Sequence, residues 1–348
     1  MKAAVLVETG APLQVLDGIA MPPPARGQVA VRLAFSGVCH SQVMEARGHR
    51  GPDRYLPHLL GHEGSGVVTD IGEGVAKVAV GDRVLLTWIK GTGMDSPGGP
   101  YRHGGTTLNA GGVTTFNTHA LVAENRVVPL PASVPMDLAV LFGCALPTGA
   151  GMVDHELAMP AGGTAAVFGL GGIGASALLA LALLHPTRLI AVDPQPAKRD
   201  LARALGATDV IDPSAQDPVA AIRALTDGAG VDRAVEAAGR TETIEQAFDA
   251  VRRFGGLALF ASHPKTGGRV SIDPFELICG KQLRGSWGGA SEPDTDVPRW
   301  AQLWQEGAMK LEALLGRRYR LEQINDALDD LEAGRALRPL IVLDEALA

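Results

Sequence analysis

Cysteine is scarce in this 348-residue chain, with only Cys39, Cys144 and Cys279. Their wide separation and odd number exclude a disulfide framework and favour a reducing, cytoplasmic setting. No Lys/Arg-rich run and no basic stretch interleaved with aromatics occurs, and the net charge is −7, so nucleic-acid binding has no electrostatic footing. The opening Met-Lys-Ala-Ala-Val-Leu-Val is interrupted at Glu8 before a long apolar stretch develops, which predicts a first strand and no signal peptide. Residues 161–184 carry no charge over 24 positions, long enough by count to span a bilayer. Yet six glycines lie in that run and its first half is β-rich, which predicts a buried strand, a tight turn and a buried helix. No membrane association is expected. Internal repeats and low-complexity tracts are also lacking.

What is present is an ordinary globular balance, 46% hydrophobic and 20% charged. The length suggests two domains at roughly 150 residues each. Up to about residue 145 the chain is a series of short β-like runs parted by Gly and Pro: KAAVLV, QVAVRLAFSG, SGVVTDIG, DRVLLTWI and NRVVPLP. After that, strand-like runs alternate with helical stretches of about a dozen residues, the pattern of a parallel sheet with crossover helices. The closing RPLIVLDE predicts a last short strand that could return to the first domain.

Gly169-Leu170-Gly171-Gly172-Ile173-Gly174 fits G-x-G-x-x-G. The pattern alone is weak in a chain with 44 glycines, but here an apolar strand precedes it and a helix-forming run follows. Glycines there allow a tight turn and a close approach to a pyrophosphate, which the helix N-terminus favours. The next strand ends in Asp193, 19 residues beyond Gly174. A carboxylate there accepts from ribose hydroxyls and repels a 2′-phosphate, favouring NAD over NADP. Lys198 could also reach the ribose. The alternative for Asp193 is a turn cap before Pro194.

Three upstream segments hold metal-type side chains: Gly37-Val38-Cys39-His40-Ser41, Gly61-His62-Glu63-Gly64 and Gly143-Cys144-Ala145-Leu146-Pro147-Thr148-Gly149. By spacing alone these residues could equally be buried core. Taken in order and followed by GLGGIG, however, the segments resemble the zinc-dependent medium-chain alcohol dehydrogenases of the medium-chain dehydrogenase/reductase superfamily. The likeness runs nearly the whole chain and includes GHEGSG, the Gly81-Asp82-Arg83-Val84 turn and Ser286-Trp287-Gly288-Gly289. It implies an α/β protein in three parts. A GroES-like β-rich catalytic domain would cover 1–145. A Rossmann coenzyme domain, a doubly wound parallel sheet, would cover 146–288. A C-terminal return over 289–348 would complete the catalytic domain, with a cleft between the domains.

The resemblance further implies one catalytic zinc on Cys39, His62 and Cys144. Two thiolates and a neutral imidazole balance Zn²⁺ and leave a fourth position for water or substrate. Hydride would pass between an alcohol, or its aldehyde or ketone, and NAD(H); the alternative is a reductase of activated carbonyls or enones in the same fold. Glu63 matches the acid beside the metal, and Ser41 the hydroxyl that takes the substrate proton. His40, Thr148 and Arg338 match coenzyme-side positions, although His40 and Arg338 could be plain surface residues. Trp88, Phe116 and Trp287 match the substrate pocket, although lone aromatics are more often core. A homodimer or homotetramer is the family's habit.

The chain departs from this family in two places. Lys90–Thr118, where relatives carry four zinc-binding cysteines, has none, so a four-cysteine structural zinc is excluded and the stretch is expected to be an irregular loop, a lid or an oligomer contact. Gln42 stands where many members have Asp, and Met44 where many end a proton relay with His. Methionine cannot carry a proton, so His49 is the candidate substitute base.

Overall fold

The computed structural model describes residues 1–347. Two compact units emerge, one of Met1–Cys144 with Glu292–Leu303 and the segment from Leu314, the other of Ala145–Ser291 with Trp304–Ala313.

The first unit is built on a seven-stranded sheet. Its longest strand, Gln28–Gly37, is buried along its whole length except at Arg32. Side chains alternate between faces along a strand, and both faces here are covered. Val29, Val31 and Leu33 pack with Val68, Val84, Leu86 and Val122, while Ala30 packs with Val5, Leu59, Tyr101 and Leu121. That explains why QVAVRLAFSG reads as continuously apolar. The strand pairs antiparallel with Gly64–Ile71, His119–Ala123 and the C-terminal Leu340–Val342.

Lys90–Thr118 is irregular over most of its length, as its glycines suggest, but it holds one short hairpin. Tyr101–His103 and Thr106–Leu108 form an antiparallel hairpin turning at Gly104-Gly105. Gly-Gly between two short β-type runs is a hairpin signal, and the reading above passed over it. Tyr101 is fully buried, its hydroxyl accepts the Leu121 backbone N–H at 2.8 Å, and burial pushes its phenol up to about 12. Tyr101 and Leu108 thus anchor the hairpin to the core.

The second unit carries a six-stranded parallel sheet. In sequence, its strands are Thr164–Phe168, Arg188–Val192, Asp209–Ile211, Arg233–Glu236, Leu257–Phe260 and Gln282–Gly285. In space they run 3-2-1-4-5-6, the doubly wound dinucleotide-binding order. The uncharged stretch 161–184 resolves into the central strand Thr164–Phe168 and the helix Gly172–Leu183, both largely buried. The helix Ala145–Gly151 lies so close to Gly172–Leu183 that a Cβ on Gly149 would strike the Ser176 side chain. Among the described residues no single helix is long and apolar enough to cross a membrane.

Candidate metal centre and coenzyme loop

Local structure delivers each metal-type side chain. Cys39 ends the turn after the long strand and immediately precedes the helix His40–Ala46. His62 follows Gly61, whose φ of 87° suits glycine and where a Cβ would overlap the Thr115 side chain. Cys144 follows the 3₁₀ turn Val140–Gly143. Gly37 and Gly143 each let the backbone close on Glu63, since a Cβ at either would come within 2.7 Å of that side chain. The glycine before each ligand segment is therefore a packing requirement.

These three segments converge. One ligand atom from each of Cys39, His62 and Cys144 lies within 4.8 Å of the others. Cys144 Sγ is 3.9 Å from Cys39 Sγ, and His62 Nε2 is 3.1 Å from Cys144 Sγ. A tetrahedral zinc with Zn–S near 2.3 Å holds its sulfurs about 3.8 Å apart, so the donor set fits the ion. The thiol of Cys39 is held well below its usual range by the hydrogen bond from Cys144, and by the nearby His62 and Arg338.

Glu63 is fully buried, and burial pushes its carboxyl up against the opposing pull of the Arg338 guanidinium. Oε2 pairs with Arg338, which is itself 5% exposed, and Oε1 has no hydrogen-bond partner. The structure thus places Arg338, matched above to a coenzyme position, on the acid behind the metal ligands. Sequence could not pair two residues 275 positions apart. Gln42 is also buried and touches both His62 and Cys39.

Other expected residues fall as follows. Ser41 Oγ is buried with no hydrogen-bond partner, so His49 is not bonded to it. The helix explains why. Gly48 and His49 close its C-terminus by donating to Glu45 O and Met44 O, at 3.0 and 2.8 Å, with Gly48 at φ 73°. This capping fixes His49 at the end of the helix opposite Ser41, roughly 10 Å along its axis. Phe116 is fully buried in a core cluster with Leu6, Val43, Leu60 and Ile324. Trp88 is half-buried, whereas His40 and Trp287 are exposed. A second cluster, unforeseen from sequence, joins Glu45, Asp53 and His58, with His58 Nε2 2.8 Å from Asp53 Oδ2.

In the second unit the glycine loop has the form its sequence suggests. Gly169 has φ 84°, Gly171 caps the helix Gly172–Leu183, and a Cβ on Gly174 would overlap the Gly169 carbonyl. Asp193 is 4% exposed and accepts from Leu170 N–H at 2.8 Å and Gln195 N–H at 2.9 Å. It therefore braces the loop and caps its own turn. Lys198 lies on the following helix, and Thr148 Oγ1 is buried without a partner. Sequence reasoning passed over Glu236, which accepts from Ala238 and Gly239 N–H and from Thr243 Oγ1 at 2.7–2.8 Å. Its signal was a carboxylate at the carboxyl end of an apolar parallel strand.

Residues 25–132 match the alcohol dehydrogenase GroES-like domain, and 158–306 the zinc-binding dehydrogenase domain. The chain is 30% identical to an S-(hydroxymethyl)glutathione dehydrogenase of Synechocystis sp., over 98% of this chain and 99% of that protein. Among solved structures it resembles benzyl alcohol dehydrogenase from Acinetobacter calcoaceticus, with 30% identity, TM-score 0.89 and 99% of both chains covered. It also resembles an alcohol dehydrogenase zinc-binding domain protein from Burkholderia ambifaria, with 32% identity, TM-score 0.90 and the same coverage. With both domain types and relatives matched end to end, this chain belongs to the zinc-dependent alcohol dehydrogenases of the medium-chain dehydrogenase/reductase superfamily.

Proposed function

We propose that the chain is a one-zinc, NAD-preferring alcohol dehydrogenase whose metal is held by Cys39, His62 and Cys144. The observation that carries this is the convergence of those three donor atoms within 4.8 Å, out of segments 23 and 82 residues apart. When bound, zinc supplies a Lewis acid and NAD(H) the hydride carrier. The first unit holds the metal and the proton-handling groups, and the second holds the coenzyme.

Ser41 Oγ has both its donor and its acceptor capacity unspent, so it takes up the proton of the substrate hydroxyl. Glu63 and Arg338 keep a paired charge behind the ligands and fix the segments that carry Cys39 and His62. Met44 is 6% exposed and carries no proton, so the proton leaves Ser41 by a route outside the helix core. In the second unit the N–H groups of the glycine loop face a pyrophosphate with the favourable end of the helix dipole. Asp193 accepts from the adenosine ribose and repels a 2′-phosphate. Lys198 supports the same sugar.

The substrate is a small alcohol or aldehyde. NADH formation is measured with alcohols of graded size, benzyl alcohol and S-(hydroxymethyl)glutathione among them, and NADH consumption with the matching aldehydes. The reading expects turnover in at least one series, with NAD preferred over NADP. Absence of turnover with all of them overturns it.

A further inference from the structure

Two opposite signals meet where the adenosine ribose is expected. Asp193 follows the strand Arg188–Val192, and a carboxylate there disfavours a 2′-phosphate. Arg199 stands on the next helix, Pro196–Ala204, and an arginine near that acid is the usual partner of a 2′-phosphate. The side-chain contacts show where this arginine is spent. Its Nη1 donates to the Asp193 backbone carbonyl at 2.8 Å, and its Nη2 lies 2.9 Å from Asp212 Oδ2. The guanidinium thus rests on the backbone of the very residue whose side chain meets the ribose, and the Arg199 side chain is only 14% exposed.

Strand pairing brings Asp212 to this place. Val192 pairs with Ile211 in parallel register, so Asp193 and Asp212 leave the sheet side by side at its carboxyl end, where doubly wound sheets bind their ligands. Asp212 Oδ1 accepts the Ser214 backbone N–H at 2.9 Å and the Ser214 hydroxyl, which leaves Oδ2 to the guanidinium. Those bonds, and then the Arg199 charge, hold the Asp212 carboxyl below its ordinary range, so it is charged at neutral pH. A guanidinium fork matches a phosphate as well as it matches a carboxylate. Resting on the reading of the glycine loop and Asp193 as the coenzyme site, we propose that Asp212 is a specificity-determining residue: it engages Arg199 and so withholds that guanidinium from a 2′-phosphate. Preference for NAD then belongs to Asp193, Arg199 and Asp212 together and not to Asp193 alone.

The test measures dissociation constants of NADH and NADPH by fluorescence titration of the full-length protein, for wild type, Asp212→Asn, Arg199→Met and the double variant. Asp212→Asn keeps the shape and an oxygen for Ser214 but removes the charge. It is expected to shift the ratio of NADPH to NADH affinity at least about tenfold toward NADPH, the worth of a charge-assisted hydrogen bond. Adding Arg199→Met should abolish that shift. Arg199→Met alone should leave the ratio of wild type, because the guanidinium is already spent. A purely structural role would weaken both coenzymes alike and move no ratio. An unshifted ratio in Asp212→Asn overturns the inference, and so does a shift that survives in the double variant, since only the lost Asp212 charge would then explain it. A selective loss of NADPH binding in Arg199→Met also overturns it, and can do so even if Asp212→Asn fails to fold. Wild type binding NADPH more tightly than NADH overturns the NAD preference and this inference together.

Discussion

The metal centre and the coenzyme loop are assembled in opposite ways. The loop is local: within six residues, Gly169 to Gly174, backbone N–H groups and missing side chains make the surface, and one carboxylate from the next strand braces it. The metal centre is non-local. Its donors come from three segments, and its support comes from a fourth, since Glu63 is paired by Arg338 near the C-terminus. A site made of backbone depends on what side chains leave room for. A site made of side chains depends on every segment arriving in register, so one lost partner leaves another buried and unsatisfied.

The largest expected effect separates the two regions. Cys144→Ala should remove zinc and lower kcat/KM by more than about a thousandfold, with NADH affinity within about twofold of wild type by fluorescence titration. A matching collapse of NADH binding would break the division of labour between the regions. Next, Arg338→Met leaves the Glu63 charge buried without its partner, which should cost about 3–5 kcal/mol of stability. Glu63→Gln combined with Arg338→Met should recover most of that loss in urea unfolding. A double variant as unstable as the sum of the singles would mean the two residues are not coupled.

In the loop, Gly174→Ala drives a Cβ into the Gly169 carbonyl. A cost of about 1–3 kcal/mol is expected, with weaker NADH binding and unchanged zinc content. Full-strength NADH binding by this variant would show the loop tolerates what its geometry forbids.

The smallest effect concerns acid stability in the second unit. Glu276 is held at about 2, from an ordinary 4.5, by hydrogen bonds from Arg253 and Lys281. The folded state keeps the carboxylate where the unfolded chain takes up a proton. Its stabilisation is therefore present above pH 4.5 and lost as pH falls toward 2. Glu276→Gln should lose less stability than wild type between pH 4.5 and 2, read from urea midpoints. Parallel profiles for the two proteins would remove the ion pair from the account.

Legibility followed the same division. The parallel sheet, the glycine loop and Asp193 could be read from neighbouring residues, because period and turn chemistry are local. The three metal-type residues were visible, but spacing alone left them as plausible core; family resemblance was needed to group them. The Glu63–Arg338 pair and the contact of Gln42 with His62 were not legible, since both need the folded register. Two further details needed the folded chain. The Gly104-Gly105 turn was hidden among the glycines of Lys90–Thr118, and the burial of Phe116 depends on Leu6, Val43, Leu60 and Ile324, which come from distant segments. His49 was near Ser41 in sequence, but the C-terminal cap of the short helix holds it at the far end.

The central claim, one zinc on two sulfurs and one imidazole, is tested most directly by metal analysis with X-ray absorption at the zinc edge. The account predicts one zinc per chain, with two sulfur neighbours near about 2.3 Å and a nitrogen near about 2.0–2.1 Å. A first shell of oxygen and nitrogen only, or no stoichiometric zinc in active protein, would contradict it.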